Sequence, residues 1–396
     1  MPDPDAHYDY IIAGAGAAGL SLLWHLLQQN TRGISILVVD KFLEPDTQKT
    51  WCFWDLSEMP FDQLIYKSWP SMQVRANRKV YHQILRDYQY HCIRSVDYTS
   101  RLIEIAEKHP AVTLLKSEIT SMKYEDDRAI VVTSSGSFSA NWGFQSVLHN
   151  PGESNNHTEL KQHFVGCEIQ TAKPVFDSDT IHLMDFDVPQ PVNHGLAFCY
   201  VLPFSKQHAL VEYTLFSSEL YRQSEYETVI CQYLNNRFDL TDGSYSIIRR
   251  EKGAIPMRNT KSQPWYNSRI LNLGITGGLT KPTTGYTFTR IHRHSRQIAS
   301  ALQKGNPPVP MEVSSYRYRL YDLLLLDILR RKQKDCITIF DQLFGNQPFD
   351  RVLRFLEEKS SFSDECVIFS RLPYSPFLRS LIRNLKLVAT NRAYEA

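Results

Sequence analysis

The sequence predicts an α/β fold: a Rossmann-like dinucleotide-binding domain, an antiparallel β-sheet substrate domain and a C-terminal helical cap. Three observations carry this. A glycine-rich turn joins a strand-forming to a helix-forming segment near the start, a second glycine-rich turn follows more than 250 residues later, and the last quarter has helical spacing nearly throughout. At about 150 residues per domain, 396 residues allow two or three lobes.

Tyr8 to Ala13 reads as a strand, Leu20 to Gln29 as an amphipathic helix and Ile34 to Asp40 as a second strand, which together make a βαβ unit. A helix is expected from about Tyr81 to Lys108, followed by a strand at Val112 to Leu115. Alternating runs from Ile119 to Leu148, split by Glu125-Asp126-Asp127 and Ser134-Ser135-Gly136, read as an antiparallel meander. Asn150 to Leu160 is a polar connection. From Phe164 to Ile255 the pattern is strand-rich, with Phe198 to Leu202 and His208 to Phe216 as neighbours and a helix within Ser218 to Asp239. Arg269 to Leu273 is a strand that feeds the second turn, Gly274 to Gly285, and a helix from Thr287 to Gln303 that Pro307-Pro308 stops. Tyr316 to Leu387 reads as helical.

Composition excludes several classes. Hydrophobic residues are 42% and charged residues 22%, and Lys plus Arg exceed Asp plus Glu by only 2, so no field calls for nucleic acid. The mean hydropathy of −0.34 leaves no reservoir for several membrane spans. Tyr10 to Leu27 lacks formal charge, but its acidic N-terminal flank and its three glycines fit neither a signal peptide nor a span. Seven cysteines without a C-x-x-C pair argue against a zinc site and a disulfide framework, and fit reduced thiols in the cytoplasm. No metal site, phosphate-binding lysine loop or serine-hydrolase elbow is present. Asn156-His157-Thr158 matches a glycosylation acceptor by pattern only. His292-Arg293-His294, with Arg290 and Arg296, reads as a solvated basic helix side.

Gly14-Ala15-Gly16-Ala17-Ala18-Gly19 is a G-x-G-x-x-G turn in the context that gives the pattern meaning. Gly14 permits the tight turn, Gly16 lets backbone approach a pyrophosphate, Gly19 lets helix pack on strand, and the helix N-terminus offers donors and positive dipole. Asp40 ends the second strand about 20 residues on, where a carboxylate accepts hydrogen bonds from a ribose and disfavours a 2′-phosphate. An early turn of this kind together with a late one points to FAD. Gly274, Gly277 and Gly278, with a helix beyond them, are expected at the flavin phosphates or ring edge, with Thr284 and Gly285 as further contacts.

At these residues the chain resembles the bacterial-type flavoprotein lycopene cyclases. The likeness runs through Tyr8 to Gly19, Lys49-Thr50-Trp51-Cys52-Phe53-Trp54, Gln162 to Gly166, Leu183-Met184-Asp185-Phe186, Tyr200 to Ser205, Leu210-Val211-Glu212-Tyr213-Thr214, Gly253 to Met257, Lys281 to Tyr286 and Arg351 to Leu356. The resemblance implies a flavoprotein monooxygenase-like architecture and an enzyme that closes β-ionone rings on lycopene by way of γ-carotene. It implies FAD active in its reduced form, NAD(P)H as the electron source, and no net redox change. The chemistry is then acid–base: a carboxylic acid kept neutral by an apolar pocket protonates a double bond, the neighbouring double bond closes on the cation, and a proton leaves.

By the resemblance Glu212 is the proton donor; from spacing alone, a strand glutamate facing solvent stays equally open. Asp185 is a second catalytic candidate, as base or as support for Glu212, with an ordinary strand-end carboxylate as the alternative. Trp51, Phe53, Trp54, Phe198, Tyr200 and Tyr286 are candidates to face the cation, or else packing. Related flavin folds often carry Gly-Asp at the late turn. Here Ile275 follows Gly274, and Leu148-His149-Asn150 stands where an aspartate and a small residue were expected.

The domain expectation is a discontinuous FAD-binding domain at 1–55, 78–158 and 264–305, a substrate sheet domain at 56–77 and 159–263, and a cap at 306–396. An apolar substrate implies a cytoplasmic enzyme peripherally attached to the inner face of the membrane, which loads lycopene from its surface. Leu320 to Leu329, or Phe369 to Leu387 with Arg371, Arg379, Arg383 and Lys386, are the candidate lipid contacts. A flavin-dependent monooxygenase or other redox enzyme on a carotenoid, and a carotenoid-binding protein with structural flavin, are the rival readings.

Overall fold

The computed structural model describes residues 6–54, 60–147, 160–192, 195–259, 263–311, 314–331 and 333–390. The chain opens with β1 (His7–Ala13), α1 (Ala17–Leu27), β2 (Ile36–Asp40) and β3 (Thr50–Trp54). β4 (Lys67–Trp69), β5 (Ser71–Ala76), β6 (Lys79–Ile84), β7 (Tyr90–Arg94) and α2 (Ser95–Lys108) follow. Then come β8 (Val112–Lys116), β9 (Ile119–Glu125), β10 (Arg128–Thr133) and β11 (Gly136–Gln145). The central region holds β12 (Lys161–Thr171), β13 (Thr180–Asp185), β14 (Leu196–Pro203), β15 (His208–Ser217), α3 (Gln223–Phe238) and β16 (Tyr245–Pro256). After β17 (Trp265–Asn267), β18 (Ile270–Asn272) and α4 (Phe288–Gln303) the chain is helical. These last helices are α5 (Tyr316–Leu329), α6 (Gln333–Gly345), α7 (Phe349–Leu356), α8 (Phe362–Phe369), α9 (Tyr374–Arg383) and α10 (Leu385–Ala389).

Strands β18, β11, β1, β2 and β8 lie side by side and parallel. Ile36, Leu37, Val38 and Val39 are all fully buried, as a parallel strand covered on both faces requires. One face carries α1, α2 and α4, whose Leu20, Leu23, Leu102 and Ile298 share a core with Ile12 and Val38. The β9–β10–β11 meander covers the other, with Val131 and Phe138 against Ile11 and Leu37.

The second sheet has seven strands in the order β16-β12-β15-β14-β13-β5-β6. Its β12, β15 and β14 alternate between two buried faces. Cys167, Cys199, Val211 and Tyr213 pack beneath α3, while Leu202, Leu210 and Phe216 join the core formed with the cap helices α5 to α8. The gap between this second face, the parallel sheet and the cap is where the site forms.

Three expectations are corrected. The helix from Tyr81 does not exist: β6 and β7 occupy the first part, and only Ser95–Lys108 is helical. Residues 79–84 alternate as an edge strand, and the Asp350 carboxylate accepts the backbone N–H groups of Arg86, Asp87 and Tyr88 at 2.9–3.2 Å, a contact from more than 260 residues away. Because β6 pairs with β5, the substrate sheet extends to Ile84, beyond the expected boundary at 77. Third, His292 and His294 do not face solvent. Both are buried; His292 Nδ1 lies 2.8 Å from Ser21 Oγ, and His294 Nε2 lies 3.0 Å from the Val309 carbonyl.

Among the described residues no helix is long and apolar enough to cross a membrane, and no group of His, Cys, Asp and Glu is arranged to hold a metal ion. Among the described residues the cysteines form no disulfide with one another. The strand end at 148–150 and the polar connection after it lie outside the described residues, as does the Asn156 pattern.

Candidate active site

The N-terminal glycine turn is shaped by steric necessity. Gly14 has φ +111°, in the region L side chains avoid, and a Cβ on Gly19 would sit 1.8 Å from the Gly14 carbonyl oxygen. At Gly16 a Cβ would meet nothing within 4 Å, so the helix start faces open space, and α1 has no side-chain cap. Uncapped N–H groups at a helix N-terminus beside open space fit a pyrophosphate. Asp40 pins this turn: its Oδ2 accepts the Ala15 N–H at 2.6 Å and its Oδ1 accepts the Phe42 N–H at 2.9 Å.

The late turn closes against the early one. A Cβ on Gly274, at φ +58°, would lie 3.0 Å from the Ala18 Cβ at the start of α1. Residues 274–287 form consecutive turns rather than an immediate helix, and α4 begins only at Phe288. Gly277 N–H donates to the Leu273 carbonyl at 3.1 Å and Gly285 N–H to the Lys281 carbonyl at 2.9 Å. Among the described residues the buried Thr284 hydroxyl finds no partner, a polar group of the kind a bound ligand satisfies.

A cavity of about 600 Å³ runs from this junction into the substrate sheet. Gly16, Ala18, Gly274, Thr284 and Gly285 line one end. Phe164, Phe198, Tyr200, Glu212 and Glu251 form the sheet wall, and Tyr321, Phe340, Phe355 and Phe369 the cap wall. Trp51, Trp54 and Tyr286 lie between them. The lining is dominated by aromatic and aliphatic side chains, as an apolar ligand site requires.

Four strands present one rung to this cavity. Tyr200 of β14 pairs with Glu212 of β15, Glu212 with Gly166 of β12, and Gly166 with Glu251 of β16. Residues directly opposite one another share a face of a sheet, so Tyr200, Glu212 and Glu251 all point into the cavity. Gly166 is the gap between the two glutamates: a Cβ there would come within 2.8 Å of Glu212 Cγ and 3.1 Å of Glu251 Cγ.

Burial pushes the Glu212 carboxyl well above the usual carboxylate range, and the charge of Glu251 and a hydrogen bond to it add to the effect; the Arg249 charge and a Thr214 hydrogen bond oppose it. Glu212 therefore holds a proton where an exposed glutamate would not. Glu251 Oε2 accepts from Arg249 Nη1 at 2.7 Å and from Thr50 Oγ1 at 2.8 Å. Arg249 Nε also donates to Glu168 at 2.5 Å.

Beside the acid, the Tyr90 hydroxyl bridges those of Tyr200 at 2.8 Å and Tyr286 at 2.9 Å. Burial raises the proton affinity of all three, so they stay neutral phenols whose π faces remain electron-rich. On the cap side, Lys281 Nζ donates to both Asp322 oxygens at 2.7 and 2.8 Å and to Glu358 at 2.8 Å, which fastens the late turn to α5.

The sequence-derived candidates therefore divide. Glu212, Gly16, Gly274, Thr284, Gly285 and the aromatics Trp51, Trp54, Phe198, Tyr200 and Tyr286 line one cavity. Gly14, Gly19, Asp40, Gly277 and Gly278 shape the turns behind it. Phe53 is packed against Phe288 instead. Asp185 lies outside the cavity beneath α3, where Arg237 Nε is 3.0 Å and Arg75 Nε 3.3 Å away and Tyr233 donates at 3.2 Å. Two guanidinium groups hold it there, away from the residues that line the cavity. Sequence reasoning missed Gly166, Tyr90 and Glu251; the alternation Arg249, Glu251, Gly253, Ile255 was the available signal for the last.

The sequence profile of the family described as "Lycopene cyclase protein" matches residues 9–382. A lycopene beta-cyclase of Pantoea ananas is 25% identical over 400 residues, covering 95% of this chain and 97% of that protein. The fold resembles a geranylgeranyl bacteriochlorophyll reductase-like protein of Thermoplasma acidophilum, with a TM-score of 0.59, 12% identity and coverage of 97% and 99% of the two chains. It also resembles a flavin-dependent brominase, Bmp2, with a TM-score of 0.59, 13% identity and coverage of 89% and 94%.

Proposed function

The chain belongs to the lycopene cyclase family, and from that premise we propose that it converts lycopene by way of γ-carotene to β-carotene, by acid–base cyclisation without net redox change. The observation that carries this reading is Glu212, buried on the wall of an aromatic cavity that continues to the glycine turns, where burial and the neighbouring Glu251 favour the protonated carboxyl.

Glu212 gives its proton to C2 of a lycopene end, which leaves a tertiary cation at C1. The C5–C6 double bond closes on C1, and loss of the C6 proton leaves the β ring. A carboxyl whose pKa is raised is present as the acid at neutral pH but is a weak acid, so stabilisation of the cation must drive the transfer. The faces of Tyr200, Tyr286 and Trp54 supply part of it, each contact being worth about 2 kcal/mol when desolvated. FAD, when bound in its reduced form with NAD(P)H as electron source, supplies negative charge near the developing cation. The α1 N-terminus and the open approach at Gly16 would hold its pyrophosphate, remaining lone pairs of Asp40 would take a ribose hydroxyl, and Thr284 Oγ1 would offer a further contact.

The substrate enters from a membrane surface. On α9 and α10 Tyr374, Leu378, Ile382 and Leu385 are 58–70% exposed at near-helical spacing, flanked by exposed Arg371, Arg379, Arg383 and Lys386. Phe377 of the same helix lines the cavity. The other candidate segment is interior: Leu323, Leu324, Leu326, Ile328 and Leu329 of α5 are buried.

Glu212→Gln tests the reading. The amide keeps the shape and carries no acidic proton, so ring formation falls by about 100-fold or more while flavin content is unchanged. A variant that keeps a tenth or more of wild-type turnover contradicts the assignment.

A further inference from the structure

Glu212 does not hold its proton alone. Glu212 and Glu251 stand on the same rung and face of the sheet, separated by the backbone of Gly166. The space in which their side chains meet is the space a residue-166 side chain would fill. At that spacing one carboxyl can donate to the other only while it keeps its proton, since two ionised carboxylates have none to share, and the charge of Glu251 and a hydrogen bond to it both push the proton affinity of Glu212 up. One proton therefore lies between them. The two members are not equivalent: the Arg249 guanidinium and the Thr50 hydroxyl both donate to Glu251 Oε2, donors that favour a carboxylate over a carboxylic acid at that position.

Resting on the cyclase reading above, we infer that Glu251 is a positioning residue of the reaction: the charged half of a one-proton dyad that keeps Glu212 protonated and restores it after each ring.

The atoms balance without an outside donor. The Glu212 O–H bond breaks as the C2–H bond forms, and the dyad is left with two negative charges on one rung. The C5–C6 electron pair forms the C1–C6 bond and moves the positive charge to C5. The C6–H bond then breaks, its electrons rebuild the C5–C6 double bond, and the proton goes to the carboxylate pair. Two like charges in a buried site bind a proton more strongly than either alone. The doubly charged state is thus both the partner of the cation and the base that ends it, and the resting dyad returns ready for the second end of lycopene. Behind Glu251 the network continues through Arg249, whose Nε donates to Glu168 at 2.5 Å, with His208 Nε2 2.7 Å from Glu168.

Glu251→Gln is the test, because it keeps the volume and the hydrogen bond to Glu212 while removing the charge. Without a negative neighbour the proton affinity of Glu212 falls. In infrared difference spectra without substrate, a protonated-carboxyl band present in the wild type and missing from Glu212→Gln titrates at a pH lower by about one unit or more in Glu251→Gln. The high-pH limb of kcat moves down with it, kcat at neutral pH drops about tenfold or more, and KM and flavin content stay within about twofold. Glu251→Asp, which keeps a charge at greater distance, falls between the two and serves equally if the glutamine variant does not fold. A band and pH limb that stay at wild-type positions while kcat falls evenly at all pH values overturn the proposal. Because the infrared titration needs no substrate, a wild-type protein that forms no rings refutes the cyclase reading and leaves the dyad to be judged by its band.

Discussion

The Thr50 hydroxyl donates to Glu251 Oε2 at 2.8 Å across a sequence separation of 201 residues. That bond joins the strand following the βαβ unit to the rung that carries the acid. Thr50 and its neighbours Trp51 and Cys52 also line the cavity, so the acid, the aromatic wall and the nucleotide-binding turn are held in one frame. The position of Glu212 is thereby coupled to the lobe that carries the first glycine turn, although the two are far apart in the chain.

Gly166→Ala tests that frame at its narrowest point. Contacts of 2.8 and 3.1 Å from the new Cβ to Glu212 Cγ and Glu251 Cγ force the carboxyl groups apart. The expected destabilisation is about 1–3 kcal/mol, read as a lower Tm, together with a loss of turnover larger than the fall in folded protein explains. Unchanged turnover would mean that the two carboxyls need not touch.

The glycines of the first turn separate by what surrounds them. Gly19→Val places atoms into the Gly14 carbonyl, so little folded protein is expected. Gly16→Val meets open space in the fold and obstructs only a ligand, so it is expected to give folded protein with normal Tm that does not retain flavin. Full flavin occupancy in purified Gly16→Val would remove the pyrophosphate site from this turn.

Acid stability follows from buried histidines. Burial lowers His25, His163 and His182 each to about 4, and His292 well below its ordinary value. Their folded-state affinity for protons is below the unfolded value near 6.5, so the unfolded chain binds more protons between those limits and stability falls as pH drops from about 6.5 towards 4. Each such group contributes a slope of about 1.4 kcal/mol per pH unit in that window. Thermal melts at intervals from pH 7 to 4.5 should show a steepening loss, and His292→Asn or His163→Asn should flatten it. A Tm independent of pH over this range contradicts the neutral buried state.

For the membrane surface, Leu378→Glu with Ile382→Glu removes two exposed apolar side chains of α9 without entering the core. Co-sedimentation with anionic liposomes should fall by about tenfold, and turnover of liposomal lycopene with it, while Tm and flavin content hold. Equal sedimentation of variant and parent would move the lipid contact elsewhere.

Much of this was legible in the sequence because it rests on local chemistry. The Gly14 to Gly19 turn between two strand and helix patterns, Asp40 at a strand end, and the alternation of β14 and β15 each express a rule that spans a few residues. What stayed hidden was set by partners far along the chain. The segment 81–94 reads as helical until Asp350 is seen to bind its backbone, and His292 and His294 read as a charged surface until Ser21 of α1 meets the first and the Val309 carbonyl the second. Glu251 sits in an alternation that the sequence does show, but its pairing could not be read there for the same reason. Its meaning depends on the register of β16 with β12, which places it opposite a glycine and beside Glu212.

The central claim is that rings form by proton transfer with no net oxidation. The most direct measurement is anaerobic incubation of the purified protein with lycopene in liposomes and chemically reduced FAD, with ring-bearing carotenoids followed by chromatography and flavin oxidation by absorbance. The expected result is γ-carotene followed by β-carotene, with the flavin still fully reduced after many turnovers. If product forms only when oxygen is admitted and NAD(P)H is consumed in proportion to it, the reaction is an oxygenation and Glu212 is not its proton donor.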